Sequence, residues 1–310
     1  MIPLSKIKDR KVLITHKNAH EGCPDGIASA YICKQALPDL RVRFITYDKE
    51  RDELQPEPGM LFVDMTPPEK TADLFVAAGA VCLDHHKTQR GIVEKFGELG
   101  VYADNETEED RATSGALLAY RNVFLPLVGQ GQVAMRALAN LVGVADTWDR
   151  GSPDFLRARQ LGGVLLFIPF DELLHISPWD IQEHPLVPIL EARKRQEMDE
   201  LWAIRTHVPM GSSYPLGVAC TIPSLSHISD IAEEHRDEAD VFVGYAATVG
   251  GPAANPHLVL SLRTGRPQEN GKPIDVSILA KRLGGGGHAG AAGCRWDSTL
   301  YEALEEMSKP

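Results

Sequence analysis

Residues 79–91 read GAVCLDHHKTQRG, and the order within them decides the fold. Four apolar residues, Ala80 to Leu83, run straight into Asp84, His85 and His86. An apolar run this short, bounded by glycine and by polar residues, has the length of a buried strand and is too brief for a helix. Where such a strand leaves its sheet, the next three side chains emerge together, and all three are types that bind metals or transfer protons.

The same punctuation recurs upstream. KVLITH closes on His16, and the run in MLFVDM is followed at once by Asp64. Between these runs lie the helix-like stretches PDGIASAYICKQAL and KTADLFVAAG. Short apolar strands alternating with helices predict a largely parallel sheet flanked by helices. In an open sheet of that kind the crevice outside the carboxyl ends of the strands is where ligands bind. Topology therefore points to a site near His16, Asp64, Asp84, His85 and His86 before any motif is considered.

Further along, GQVAMRALANLVGVA (131–145) repeats apolar residues at helical spacing and delivers Asp146 at its end. Residues 186–206 have apolar ends, a charged middle and no breaker after Pro188, which reads as a connecting helix. Beyond it GVACTI, DVFVGYAATV and HLVLSLRTG are strand-like, with helical stretches around ISDIAEEHRDEA and DVSILAKRL. The expected architecture is α/β. An N-terminal domain with a largely parallel sheet flanked by helices spans 1–185, a connecting helix 186–206, and a smaller C-terminal α+β domain 207–310.

Composition narrows the function classes. A chain of 310 residues, 43% hydrophobic, can bury cores in two domains. Its net charge of −11 repels polyanions, so long duplex nucleic acid is not an expected partner and any phosphate must be captured locally or through cations. The five cysteines are odd in number and widely spaced without a C-x-x-C pair, which argues against a disulfide framework or a structural zinc and suits a reducing cytoplasm. The N-terminal apolar run is too short for a signal-peptide core and no later run could span a bilayer, so no membrane association is expected.

Asp25, Asp64, Asp84 and Asp146 with His16 and His85 form a hard oxygen and imidazole set, suited to Mn²⁺, Mg²⁺ or Fe²⁺. Any one of the acids could equally cap a helix or turn a loop. Their joint occurrence at successive strand ends is what favours the metal.

Five elements in order, CPDGIASA, VDMTPP, DHH after a strand, VADTWD after a buried helix and GGGGHAGAAG, resemble the DHH family of phosphoesterases with the DHH-associated C-terminal domain. The resemblance spans nearly the whole chain. It implies a two-Mn²⁺ centre, with Mg²⁺ as an alternative ion. Asp64 would match the bridging carboxylate, His16 a first-metal ligand, and His85, Asp25 and Asp146 the second-metal ligands. Asp84 would contribute to the centre or orient it, and His86 would lie beside the scissile phosphate as donor or leaving-group acid. One departure stands out: where the family's first motif has an aspartate, this chain has Cys23, and the insertion HKNAHEG lengthens the spacing from His16. Cys23 is a candidate metal ligand as a thiolate, with a small space-filler and the mark of a variant site as the other readings; sulfur is a poor partner for Mn²⁺, so two ions of unequal affinity, or fewer than two, are expected. His20 in that insertion is a candidate replacement donor that reads more simply as a loop histidine.

In the C-terminal domain Gly285, Gly286 and Gly287 let backbone approach a ligand closely, and the run is expected to open into a small-residue helix whose N–H groups, with His288, grip an anion. Arg263 is the basic residue expected near substrate, while Lys281 and Arg282 read as surface charges. The resemblance implies that this domain holds the non-scissile end of a small phosphorylated substrate, and that the chemistry is hydrolysis of nucleotides or short oligonucleotides. Polyphosphate or pyrophosphate hydrolysis, and a nucleotide sensor degraded at Cys23, are the rival readings. A homodimer is left open. Trp148 is expected in the core, and Thr113 and Ser114 at a helix cap.

Overall fold

A computed structural model describes residues 2–17, 22–46, 49–103, 111–130, 132–210, 214–221, 227–248, 257–268 and 271–309. Its contacts divide the chain into two compact units, Met1–Leu190 and Glu191–Pro310. His20 lies outside the described residues.

The first unit is built on five strands: β1 (Val12–His16), β2 (Arg41–Ile45), β3 (Met60–Val63), β4 (Val81–Asp84) and β5 (Gly100–Tyr102). They pair in parallel in the order β2-β1-β3-β4-β5. Strands β3 and β4 are buried at every position, as parallel strands covered on both faces must be. The two faces carry separate cores. Leu13, Leu61, Val63, Val81 and Leu83 pack with Tyr31 and Ile32, while Ile14, Phe62 and Cys82 pack with Phe75 and Met65. This alternation is the period-two consequence of the pleat. Over the first face lie the helices Pro24–Ala36, Gly115–Ala119, Val133–Asp146 and Phe155–Phe167.

The helix Leu186–Ala203 carries the division between the units, and the chain is again extended from Thr206. The second unit has a six-stranded sheet: β6 (Thr206–Met210), β7 (Tyr214–Thr221), β8 (Val241–Thr248), β9 (His257–Thr264), β10 (Gly286–His288) and β11 (Ala291–Trp296). Their order is β10-β11-β9-β8-β7-β6, antiparallel except for β7 beside β8. Helices Val276–Arg282 and Leu300–Met307 supply apolar residues to one core, with Val243, Leu260 and Leu262 from the sheet.

One expectation is corrected here. The glycine run does not open into a helix. Gly286 to His288 form an edge strand that turns back through Ala289 and Gly290 and pairs with β11, Gly286 opposite Gly293 and His288 opposite Ala291. Steric room explains the glycines. A Cβ on Gly285 would stand 2.2 Å from the Gly293 carbonyl oxygen, and one on Gly287 would stand 2.6 Å from that of Ala291. Gly284, at φ +75°, turns the chain out of the preceding helix as a C-terminal glycine commonly does.

Candidate metal centre

Three strand ends and two helix ends deliver the donors in the first unit. His16 ends β1, Asp64 follows β3, and Asp84 ends β4 with His85 and His86 behind it. Cys23 and Asp25 stand at the start of the Pro24–Ala36 helix, and Asp146 is the last residue of the Val133–Asp146 helix. Among the described residues, His16, Cys23, Asp25, Asp64, Asp84, His85, His86 and Asp146 are all brought into this one region.

His85 is its hub. Its Nε2 lies 3.2 Å from Asp64 Oδ1, 3.5 Å from Asp146 Oδ2 and 3.6 Å from Asp25 Oδ2. Three overlapping sets of donor atoms lie within 4.8 Å of one another: Asp64, Asp84, His85 and His86; His16, Cys23 and Asp64; Asp25, His85 and Asp146. Asp64 thus belongs to two sets, the position a bridging carboxylate needs. Its backbone is held at φ +63°, a conformation short polar side chains tolerate better than most, and its N–H donates to the Leu83 carbonyl 3.0 Å away.

Asp25 is fixed from across the chain. The backbone N–H groups of Gly115 and Ala116, opening the Gly115–Ala119 helix, donate to its two carboxylate oxygens at 2.6 and 2.7 Å. Ser114 caps the same helix by accepting from the Leu117 N–H. A Cβ on Gly115 would stand 2.4 Å from the Asp64 Cβ and 2.9 Å from Asp25 Oδ2, so only glycine lets this helix reach the acids. Nothing in the pattern of the chain announced this contact. The only local signal is a glycine directly behind a Thr-Ser cap pair.

Asp84 divides its work between its oxygens. Oδ1 accepts from the His85 and His86 backbone N–H groups at 2.7 and 3.0 Å and contacts His86 Nδ1 at 2.7 Å, which fixes the His86 ring. Oδ2 is buried and has no hydrogen-bond partner. A buried carboxylate oxygen without a donor is costly, and a cation is the partner that the surrounding chemistry suits.

Electrostatics point the same way. Asp64 and Asp25 are each 1% exposed and Asp84 is fully buried. At an effective dielectric near 20, two charges 4 Å apart repel by about 4 kcal/mol, more than the 1.5–3 kcal/mol or so of one charged hydrogen bond. Burial, then the neighbouring Asp25, raises the Asp64 carboxyl well above the usual range. The same two causes lift Asp146 to about 6. At His85 burial opposes protonation, but the combined charges of Asp146, Asp25 and Asp84 outweigh it and raise its pKa. His86 is likewise disfavoured by burial yet raised to about 9, chiefly through its bond to Asp84. His16 is pushed down to about 4 by burial and by His86, so its imidazole is neutral and its lone pair can bind a metal. These shifts mark a pocket whose negative charge calls for a positive partner, and its carboxylate and imidazole donors fit a divalent ion.

The other expected residues fall elsewhere. An open cavity of about 430 Å³ beside β2, lined by Lys34, Arg41, Phe44 and Phe170, contains none of the donors. Trp148 is half-buried at φ +55°, against Phe155 and under the Arg159 guanidinium at 4.2 Å, because the turn after Asp146 lifts it out of the core. In the second unit Arg263 is steered by Ser229 Oγ and Ser261 Oγ, which accept from it at 2.8 and 2.9 Å. Arg263 pairs with Ala291, which pairs with His288, so arginine and glycine strand share one cross-strand row.

A parallel five-stranded sheet ending in an acid-and-imidazole centre, followed along the chain by a second sheet unit, defines a DHH-type α/β protein. The curated oligoribonuclease NrnB of Bacillus subtilis is similar at 25% identity, covering 90% of this chain and 72% of its own. Among solved structures, a pGpG-specific phosphodiesterase, PggH, from Vibrio cholerae is similar over 96% of this chain and 97% of its own, at TM-score 0.55 and 13% identity. A DHH domain of a protein described as a member of a ribosomal-protein family matches over 98% and 87%, at TM-score 0.59 and 12% identity. An exopolyphosphatase-related protein from Bacteroides fragilis matches over 99% and 95%, at TM-score 0.51 and 11% identity. No family profile matches the chain. These likenesses show that the chain has the fold of DHH-domain proteins.

Proposed function

We propose that this protein is a metal-dependent phosphohydrolase that cleaves phosphoester bonds of small nucleotides or short oligonucleotides. The observation that carries this reading is the convergence of Asp25, Asp64, His85 and Asp146 on one pocket, in a chain similar to an oligoribonuclease and a pGpG-specific phosphodiesterase. His16, Cys23 and Asp64 would hold one cation and Asp25, His85 and Asp146 another, with Mn²⁺ or Mg²⁺ expected at the oxygen and nitrogen donors. When bound, such ions supply Lewis-acid charge and a more acidic water.

The chain's own residues perform the remaining work. Asp84 clamps His86 through Nδ1, so the ring presents Nε2 to a phosphoryl or leaving oxygen, and its raised pKa keeps it a proton donor at neutral pH. His86 is the more open of the two imidazoles, with 38% of its side chain exposed against 8% for His85, which suits contact with substrate. Arg263 and the glycine strand are the groups we assign to the non-scissile part of the substrate. The net charge of −11 favours small substrates over long ones. The four described cysteines are unpaired, which supports a reducing cytoplasm as the setting. Among the described residues no helix is long and apolar enough to cross a membrane.

The test is a hydrolysis panel with added Mn²⁺, covering linear dinucleotides, 3′-phosphoadenosine 5′-phosphate, cyclic dinucleotides and polyphosphate. Nucleotide hydrolysis is expected, reduced by about 10³-fold in Asp64→Ala. Turnover of polyphosphate alone, or of none of the panel, overturns the reading.

A further inference from the structure

We infer that the centre consists of two chemically unlike cation sites. The half formed by His16, Cys23 and Asp64 takes a borderline-soft ion of the Zn²⁺ type through a sulfur bond. The half formed by Asp25, His85 and Asp146 takes a hard ion such as Mn²⁺. The inference rests on the preceding reading only in requiring cations in this pocket.

Geometry places the sulfur among the donors. Cys23 is 9% exposed, and its Sγ lies 3.7 Å from Asp64 Oδ2. With bonds of about 2.3 Å to sulfur and 2.1 Å to oxygen, two ligands of one tetrahedral ion stand about 3.6 Å apart. His16 completes the set, its donor atom within 4.8 Å of both.

The position of Cys23 is a second, independent observation. It is the N-cap of the Pro24–Ala36 helix, where a serine, threonine or aspartate would normally bind the helix's own N–H groups; here the Gly26 N–H meets a sulfur whose thiol also faces the Asp64 carboxylate. Burial by itself does not explain this, because the other buried cysteines of the unit go elsewhere. Cys33 lies in the apolar core, and the Cys82 thiol faces the Met65 carbonyl at 3.9 Å.

Ligand chemistry then separates the halves. Thiolate prefers Zn²⁺ over Mn²⁺ or Mg²⁺, while a site of two carboxylates and one imidazole suits the harder ions. Cation binding at the first half releases the thiol proton to solvent and forms the metal–sulfur bond, with no change in oxidation state.

The experiment loads the metal-free full-length protein with Co²⁺ and follows the sulfur-to-cobalt charge-transfer absorbance in the near ultraviolet. The band is expected in the wild type, absent in Cys23→Ser, and retained in Asp146→Asn and Cys33→Ala. With one equivalent of Zn²⁺ and a large excess of Mn²⁺, Zn²⁺ is expected at the sulfur half and Mn²⁺ at the other. Cys23→Ser should weaken Zn²⁺ binding by about tenfold or more, and Cys23→Asp should take Mn²⁺ at both positions. Near-ultraviolet circular dichroism of the variants separates lost ligation from lost folding. Cobalt bound without the sulfur band, no cobalt bound at all, or two Mn²⁺ with Zn²⁺ excluded would each overturn the inference. If the band is present but no phosphoester is hydrolysed, the phosphohydrolase reading falls and the two-site inference stands. If Asp64→Ala abolishes turnover while the wild type shows no sulfur band, the reverse holds.

Discussion

The two units present opposite physical problems at the places where function is expected. In the first, four carboxylates and three imidazoles crowd one pocket, Asp25, Asp64 and Asp84 buried and Asp146 and His86 at its open side, and the fold must offset the mutual repulsion of the acids. In the second, the glycine strand offers backbone, and the fold must only keep side chains out of its way. The first problem is met by donors brought from afar, such as the Gly115 and Ala116 N–H groups on Asp25, and by protons or cations. The second is met by omitting Cβ atoms at Gly285 and Gly287 and by steering Arg263 with two serines. A concentration of like charge makes a site sensitive to every neighbour, whereas a backbone strand is sensitive mainly to bulk.

The contrast can be broken most directly at Gly115. Gly115→Ala puts a methyl against the Asp64 Cβ and Asp25 Oδ2, and overpacking of this kind costs about 1–3 kcal/mol. Thermal melts should show that loss, and calorimetric titration should show cation binding weakened by more than tenfold or so, because the two acids must move. An alanine there that leaves both unchanged would mean that the carboxylates are far less tightly placed than these distances indicate.

The second unit should respond in binding more than in turnover. Arg263→Ala is expected to raise KM for a nucleotide substrate by roughly tenfold, with kcat changed much less, as for the loss of a charged hydrogen bond made equally in ground and transition states. Steady-state kinetics decide this, and an equal fall in kcat would move Arg263 to the reacting centre.

Proton linkage sharpens the first half of the comparison. Because Asp146 is held up to about 6 and His85 is also raised, protons occupy these ligands in acid and leave as pH rises. Cation affinity should therefore increase between about pH 5 and pH 7, by up to tenfold per unit for each proton displaced. Titration calorimetry in buffers of different ionisation enthalpy counts those protons. A pH-independent affinity would show the ligands already deprotonated. The smallest effect is expected at exposed Lys281, whose alanine variant should stay within about 0.5 kcal/mol of the parent and keep its KM.

Much of the centre was legible before any coordinates. His16, Asp64 and the Asp84–His86 triplet follow short apolar runs, and a parallel strand of four or five residues has to set its next side chain down at the carboxyl edge. Asp146 was legible for the same kind of reason, at the end of a helically spaced run. The glycine run reads as a helix start in the sequence because small residues suit a helix as well as a tight hairpin. The pairing of Gly286 with Gly293 is what distinguishes them. The Gly115 and Ala116 contacts were invisible because they join positions 90 and 91 residues apart in the chain.

Local order along the chain determined which donors this protein owns and that a strand or helix end would expose each of them, since side-chain periodicity depends only on near neighbours. Tertiary packing alone decided that the Cys23 sulfur faces Asp64, that Asp84 spends one oxygen on His86 and leaves the other buried without a donor, and that His85 touches three acids. Those relations are distances between residues as many as 61 positions apart, as for His85 and Asp146, and only the close packing of helices against a sheet fixes such distances.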